Sequence, residues 1–167
     1  MTAEIYKIAQ SIELILSYKG WSVATAESCT GGGIAAALTA VPGSSACVKG
    51  GIVAYTEEIK MRLLGVKPDT LRIFGVVSQQ TVEEMVQGAM KSMNSDFAVA
   101  TSGVAGPSGG TDENPVGTIW IAAASRSKIY TYCIRNFNKG RDENTQNAVL
   151  VALKMLQKVV ENEENQL

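Results

Sequence analysis

The segment Ala26–Gly33, which reads AESCTGGG, places a serine among small and polar residues between two apolar stretches. The pattern predicts a turn from a strand into a helix, with Ser28 placed as a nucleophile would be. Glycines let the backbone approach a ligand, and N–H groups at a helix start attract an anion or an oxyanion. A tight turn in which Ser28 or Thr30 caps the helix explains the spacing equally well.

The chain contains no histidine, so its own residues form neither a Ser-His-Asp triad nor a Cys-His pair. A serine nucleophile therefore needs another base, and a desolvated lysine is a credible one. Lys60 follows Tyr55 by five residues in the segment YTEEIK, one turn into a predicted helix. The pKa of a free lysine is about 10.4, and burial lowers it by several units. The alternative is an ordinary solvated lysine beside a core tyrosine.

A third polar loop, TSGVAGPSGG at 101–110, follows a predicted buried strand, where open α/β sheets carry their ligand-binding loops. Its hydroxyl groups and backbone amides, including those of Ser102, Gly103 and Gly106, suit a phosphate, a ribose or a carboxamide. A flexible surface connection explains the same composition. The residues alone leave both interpretations open.

Apolar periodicity divides the chain into alternating helices and strands, which have to bring these three loops together. The predicted helices cover 2–19, 34–40, 57–64, 78–93 and 141–161, and the predicted strands cover 21–26, 47–55, 97–101, 116–124 and 129–135. This alternation, ending in a hairpin and a helix, is typical of a layered α/β domain with a mixed sheet. We therefore expect one such domain over residues 1–167, with a frayed tail from 161 onward.

The overall composition is that of an ordinary globular protein, with 46% hydrophobic and 19% charged residues. A formal net charge of −1 gives no broad attraction for nucleic acid or for an anionic membrane surface. The first residues lack the basic and apolar regions of a signal peptide, and the three cysteines lack metal-ligand spacing. We expect a cytoplasmic protein with reduced thiols that binds no nucleic acid, membrane or metal.

Several segments, in order along the chain, resemble the C-terminal domain of the CinA (competence-damage-inducible) family, which also occurs as stand-alone nicotinamide-nucleotide amidases. The first of them are AESCTGG at 26–32, VPGSSA at 41–46, GGIVAYTEEIK at 50–60 and LLGV at 63–66. The others are GVVSQQTVEEM at 75–85, SGVAGPSGGTDENPVGTIW at 102–120 and GRD at 140–142. The resemblance spans nearly the whole chain, and the combination of the first segment with the long glycine-proline segment is specific.

The resemblance implies a three-layer α/β/α fold with a mixed, mainly parallel sheet. It implies deamidation of nicotinamide mononucleotide to nicotinate mononucleotide and ammonia, a step of pyridine nucleotide recycling, without a metal or a cofactor. By the same resemblance Ser28 is the nucleophile, Lys60 is its base, and Tyr55 is a proton-relay or orienting hydroxyl. Ser102, where relatives often have threonine, and Arg141 are expected near the substrate.

The glycine loops are expected to provide further substrate contacts. Backbone N–H groups around Thr30, Gly31 and Gly32, or near Gly103, would stabilise the oxyanion of an acyl-transfer intermediate. The loop that contains Gly103 and Gly106 would also be available to a phosphate.

Arg141 suits the phosphate of a mononucleotide, because a guanidinium makes two charge-assisted hydrogen bonds at once. The alternative is a surface ion pair with Asp142 or Glu143. Relatives often have a second arginine one helical turn later, where this sequence has Thr145. We therefore expect weaker phosphate binding here, or a different substrate.

Two other functional classes stay open at this point. One is a non-catalytic nucleotide- or phosphate-binding regulatory module that uses the same glycine loops, and the other is a purely structural interaction protein. Only the enzyme needs a neutral Lys60 within hydrogen-bond reach of Ser28. The resemblance also implies a homo-oligomer, and it leads us to expect activity without the separate N-terminal domain that some relatives carry.

Overall fold

The computed structural model describes residues 1–135 and 137–165, in which helices and strands alternate along the chain. The helices are α1 (Ala3–Lys19), α2 (Gly33–Thr39), α3 (Glu57–Leu64), α4 (Pro68–Phe74), α5 (Gln79–Met93) and α6 (Arg141–Glu164), with a 3₁₀ turn at Ser44–Ala46. The strands are β1 (Val23–Glu27), β2 (Val48–Val53), β3 (Phe97–Gly103), β4 (Ile119–Ser125) and β5 (Ile129–Ile134). Within this part of the chain, no helix combines the length and the apolar character needed to cross a membrane.

The strands form one sheet in the order β2-β1-β3-β4-β5. β1 pairs in parallel with β2 and β3, whereas β4 pairs antiparallel with both β3 and β5. Four of these five strands therefore run in the same direction, which confirms the expected mixed, mainly parallel sheet. Every residue of β1 is buried, as a central strand covered on both faces requires.

Helices cover both faces of the sheet, which confirms the three α/β/α layers. On one face α1, α2 and α6 bury a cluster that includes Ile12, Leu16 and Leu153. On the other face α3, α4 and α5 pack around a second cluster that includes Val82 and Met85. Each amphipathic helix removes its apolar face from water by packing against the sheet, so the core lies in these two layers.

The surface of the sheet beneath α5 consists of small side chains. Six alanines of β1, β3 and β4 are fully buried in this layer: Ala24, Ala26, Ala98, Ala100, Ala122 and Ala124. α5 in turn packs closely against α3, because a Cβ atom at Gly88 would overlap the carbonyl oxygen of Leu64. This packing fixes α3, the helix that carries Lys60.

The largest differences from the predicted boundaries, of three residues each, are at the start of β4 and at the end of α6. β4 begins at Ile119 and not at 116, because Gly117 adopts a φ of 92°, which interrupts extended backbone. α6 continues through Glu164 where a frayed tail was expected, and the carboxylate of Glu164 lies 3.8 Å from the amine of Lys19 in α1. Residues 166–167 of that predicted tail lie outside the described residues.

Candidate active site

Ser28 and Lys60 come into contact at the edge of the sheet where β1, β2 and β3 end. Ser28 directly follows β1, and Lys60 lies in the first turn of α3. The amine nitrogen Nζ of Lys60 donates a hydrogen bond to Ser28 Oγ at 2.9 Å and another to the carbonyl oxygen of Ala54 at 2.7 Å. Lys60 is 2% exposed and Ser28 is 8% exposed, so water competes little for this contact. The expected hydrogen-bond contact between Ser28 and Lys60 is therefore present.

Burial controls the protonation of this pair and of its neighbour. Loss of hydration lowers the pKa of the Lys60 amine below the ordinary lysine range, although the negative charge of Glu57 opposes the shift. A lower pKa increases the fraction of neutral amine, which is the form that accepts a proton. Burial also raises the pKa of the Cys29 thiol to about 12, so this thiol stays protonated and unreactive at neutral pH.

A buried carboxylate occupies the helix start where we expected a substrate oxygen. The two oxygens of Glu27 accept hydrogen bonds from the N–H groups of Gly32 at 3.0 Å and Ala35 at 2.8 Å. The N–H group of Gly31 donates to the carbonyl oxygen of Ser28 at 3.1 Å. The amides of Gly31 and Gly32 are therefore engaged within the chain, which corrects the expectation that they are free to bind an oxyanion.

Thr30 also turns toward the protein interior. Its hydroxyl donates to Glu27 at 2.7 Å and lies 2.8 Å from the hydroxyl of Thr101. The backbone N–H groups of Cys29 and Thr30, by contrast, have no acceptor within the part of the chain that the structure describes.

Glu27 is a site residue that the sequence reasoning missed. The available signal was a carboxylate ending an apolar strand before a helix whose N-cap, Gly32, has no capping side chain.

The guanidinium of Arg141 lines the same cavity as Ser28 and Lys60. Its Nη1 donates to the carbonyl oxygen of Gly106 at 2.8 Å, and its Nη2 donates to the hydroxyl of Tyr55 at 2.9 Å. Over the described residues, these groups are its hydrogen-bond partners, in place of the alternative surface pairing with Asp142 or Glu143. Arg141 therefore joins the start of α6 to the loops that follow β2 and β3.

Tyr55 and Ser102 are held by groups other than the serine–lysine pair. Tyr55 is 58% exposed, and its hydroxyl accepts a hydrogen bond from Arg141. Its role as a proton relay to Lys60 stays a prediction. Ser102 is buried at the end of β3, and its hydroxyl donates to the carbonyl oxygen of Val76 at 2.7 Å. Ser102 thus fixes the segment that leads into α5 against the floor of the site.

These groups line a cavity of about 470 Å³, which is within the range of small-molecule sites. The lining consists of Ser28, Cys29, Tyr55, Thr56, Glu57, Lys60, Val76, Val77, Ser102, Gly103, Val104, Ala105, Gly106, Ser108, Gly109 and Arg141. An adjoining cavity of about 350 Å³ is lined by Cys29, Thr30, Gly31, Tyr55, Arg141, Asp142, Thr145 and Gln146. Of the predicted site residues, Thr30 and Gly31 line only this second cavity, and Gly32 lines neither.

A three-layer α/β/α domain with a buried serine–lysine contact at the carboxyl edge of its parallel strands defines the class of this protein. Residues 5–160 match the CinA C-terminal domain family. The match covers more than half of the chain, and the chain belongs to this family.

Curated relatives contain this domain within longer proteins. The CinA-like protein of Shewanella pealeana is 46% identical over 151 residues, which cover 90% of this chain and 36% of that protein. The nicotinamide-nucleotide amidohydrolase PncC of Shewanella oneidensis is also 46% identical over 151 residues, with 90% of this chain and 36% of that protein covered. The chain thus spans about a third of the length of the curated relatives it matches.

Solved structures share the fold over nearly their full length. The competence/damage inducible protein CihA from Agrobacterium tumefaciens superposes with a TM-score of 0.93 at 42% identity, covering 95% of this chain and 97% of that one. A competence-damaged protein (CinA) superfamily protein from Klebsiella pneumoniae superposes with a TM-score of 0.89 at 35% identity, covering 95% and 98%. The arrangement of layers described above is therefore the fold of this family.

Proposed function

We propose that the protein is an amidohydrolase that converts nicotinamide mononucleotide to nicotinate mononucleotide and ammonia. The observation that carries the proposal is the 2.9 Å contact between Lys60 Nζ and Ser28 Oγ at a buried position. A module that only holds a nucleotide has no need of a lysine withdrawn from water and directed at a serine hydroxyl. The substrate is supported by the name of the Shewanella oneidensis relative.

In the first half of the proposed reaction, Ser28 Oγ attacks the carboxamide carbon while neutral Lys60 accepts the hydroxyl proton. A C–O bond forms, and the carbonyl oxygen becomes an oxyanion. Collapse of this intermediate breaks the C–N bond, and protonated Lys60 transfers its proton to the departing nitrogen. Ammonia leaves, and the acyl group remains on Ser28 as an ester.

In the second half, Lys60 is neutral again and accepts a proton from water. The resulting hydroxide attacks the ester carbon, and the Ser28 C–O bond breaks as Lys60 returns the proton to Oγ. Nicotinate mononucleotide leaves, and the pair is restored. One amine with a lowered pKa thus serves as base and acid in both halves.

The N–H groups of Cys29 and Thr30 are the proposed donors to the oxyanion. They belong to the first and second residues after the nucleophile, and neither has an acceptor elsewhere in the described chain. The N–H group of Thr30 was expected in this role, and that of Cys29 replaces those of Gly31 and Gly32, which are engaged within the chain. One donor of this kind typically stabilises the transition state by about 3 kcal/mol.

Arg141 is the proposed partner of the substrate phosphate. Among the residues that line the two cavities, the cations are Lys60 and Arg141. The contacts with Gly106 and Tyr55 use two of the five N–H donors of the guanidinium and hold it between the cavities. Thr145 lines the second cavity where relatives often have another arginine, so we assign the phosphate contact to Arg141.

The proposal is tested by incubating the protein with nicotinamide mononucleotide and, side by side, with free nicotinamide. We expect equal amounts of ammonia and nicotinate mononucleotide from the nucleotide, and far less ammonia from nicotinamide because it has no phosphate for Arg141. Calorimetry on the same samples measures binding. Binding of the nucleotide without any product would assign the chain to the non-catalytic binding class instead.

A further inference from the structure

Glu27 is the last residue of β1, lies one position before the proposed nucleophile, and is 0% exposed. Its carboxylate accepts five hydrogen bonds. The donors to Oε1 are Thr25 Oγ1 at 3.2 Å and Ala35 N at 2.8 Å, and the donors to Oε2 are Thr30 Oγ1 at 2.7 Å, Gly32 N at 3.0 Å and Ile34 N at 3.0 Å. A carboxylate has about four lone-pair sites, so its acceptor capacity is fully used.

These hydrogen bonds span the turn that carries Ser28. Four of the five donors follow Ser28 in the chain, while Glu27 itself precedes it. Gly32, the N-cap of α2, has no side chain to accept from the first N–H groups of that helix, and Glu27 provides the acceptors instead. Both ends of the turn at 28–32 are thus attached to one buried side chain.

The backbone of Glu27 is also linked to Lys60. The N–H group of Ala54 donates to the carbonyl oxygen of Glu27 at 2.8 Å. The carbonyl oxygen of Ala54 accepts the hydrogen bond from Lys60 Nζ at 2.7 Å. The relative position of Ser28 and Lys60 therefore depends on where Glu27 is held.

We propose that Glu27 is a positioning residue of this site. Its carboxylate holds the turn so that Ser28 Oγ meets Lys60 Nζ and the N–H groups of Cys29 and Thr30 stay free for the oxyanion. The inference rests on the proposed amidohydrolase function. Glu27 lies beneath the turn and outside the lining of both cavities, so its loss should lower kcat and leave KM nearly unchanged.

Glu27→Gln is the test variant, because it keeps the size of the side chain and replaces one acceptor oxygen by an NH₂ group. The new NH₂ group then faces N–H and hydroxyl groups that donated to the carboxylate, so the turn has to rearrange. Asp96→Asn is the matched control. The carboxylate of Asp96 accepts from the N–H and the hydroxyl of Ser22, each at 2.8 Å, at the opposite edge of the sheet.

Two rates are measured on proteins shown to be folded by circular dichroism. The first is turnover of nicotinamide mononucleotide, and the second is labelling of Ser28 by a fluorophosphonate, followed by intact mass. A displacement of about 1 Å at a reacting group costs about 100-fold in rate, so we expect that loss in kcat for Glu27→Gln, with KM within about threefold and slower labelling. Asp96→Asn should keep both rates. Wild-type rates in folded Glu27→Gln, or equal losses in both variants, would overturn the inference.

The labelling measurement separates this inference from the proposed function. If the wild type releases no ammonia from the nucleotide, the proposed function fails, and the labelling rate of Ser28 still decides the role of Glu27. If Glu27→Gln does not fold, Thr25→Val decides it, because this change removes a single donor to the carboxylate at 3.2 Å. A kcat lowered by about three- to tenfold at constant KM supports the inference, and an unchanged kcat overturns it.

Discussion

Replacing Lys60 by methionine removes the proposed base and keeps most of the side-chain volume. Methionine is a flexible, uncharged side chain of similar length, so it fills most of the same space in the site. The variant loses the hydrogen bonds from Nζ to Ser28 Oγ and to the carbonyl oxygen of Ala54. The hydroxyl of Ser28 then has no group at hand to accept its proton.

The expected loss of kcat is large because Lys60 contacts the nucleophile Ser28 directly. General-base catalysis typically contributes about 100- to 10,000-fold to a rate. Lys60 Nζ contacts the nucleophile at 2.9 Å, and the chain contains no histidine to replace it. We therefore expect kcat to fall by about 10,000-fold, which corresponds to about 5 kcal/mol of transition-state stabilisation.

The pH dependence provides a second readout of the same change. Only the neutral amine accepts a proton, and burial lowers the pKa of Lys60 below the ordinary lysine range. Wild-type kcat/KM should therefore rise with pH through this lowered pKa and then level off. The residual activity of Lys60→Met should lack this rising limb.

The assay couples ammonia release from nicotinamide mononucleotide to the oxidation of a reduced nicotinamide cofactor, with the folded state checked by circular dichroism. Lys7→Met, at an exposed position of α1, is the matched control and should keep the wild-type kcat. A folded Lys60→Met protein that retains more than about one-tenth of the wild-type kcat would refute the assignment of Lys60 as the base.

Four further outcomes are expected. Relative to Lys60→Met, the free energy of unfolding of the wild type should rise with pH between the lowered pKa of Lys60 and about 10.4, because the folded state binds fewer protons than the unfolded state there. Chemical unfolding at several pH values measures this difference. The same pH dependence of the unfolding free energy in both proteins would contradict a buried neutral amine. Arg141→Ala should raise KM for nicotinamide mononucleotide by about 10- to 100-fold with kcat less affected, and an unchanged KM in steady-state kinetics would place the phosphate elsewhere. Gly88→Ala should lower the free energy of unfolding by about 3 kcal/mol, because the added Cβ overlaps the carbonyl oxygen of Leu64. A urea unfolding midpoint equal to that of the wild type would contradict this packing. Cys29→Ala should keep kcat within about threefold, because the buried thiol stays protonated, whereas a loss as large as that of Lys60→Met would show that the sulfur takes part.

The two ends of α1 and the start of α5 were predictable because their signals are local. The Thr2 hydroxyl accepts from the N–H group of Ile5 at the start of α1, and Gly20 ends that helix with a φ of 66°. Ser78 caps α5 by accepting from the N–H group of Thr81. Each of these contacts joins residues within a few positions of each other, so composition and spacing were enough to indicate them.

The contacts that assemble the site are long-range, and local patterns do not encode them. Arg141 meets Tyr55 across 86 positions of the chain, and neither residue carries a local sign of that contact. The role of Glu27 depends on the path of the turn, whereas the spacing showed only that glycines open the helix. We therefore predicted free amides at Gly31 and Gly32, whereas the amide of Gly31 donates to the carbonyl oxygen of Ser28 and that of Gly32 donates to the carboxylate of Glu27.

The rate of ammonia release from nicotinamide mononucleotide by Ser28→Ala, measured beside the wild type, decides whether Ser28 is the nucleophile. Both proteins have to be folded, and Ser45→Ala, at an exposed position, serves as the matched control. We expect a loss of about 10,000-fold or more for Ser28→Ala and wild-type turnover for the control. Ammonia release at a near-normal rate from folded Ser28→Ala would show that this serine is not the nucleophile.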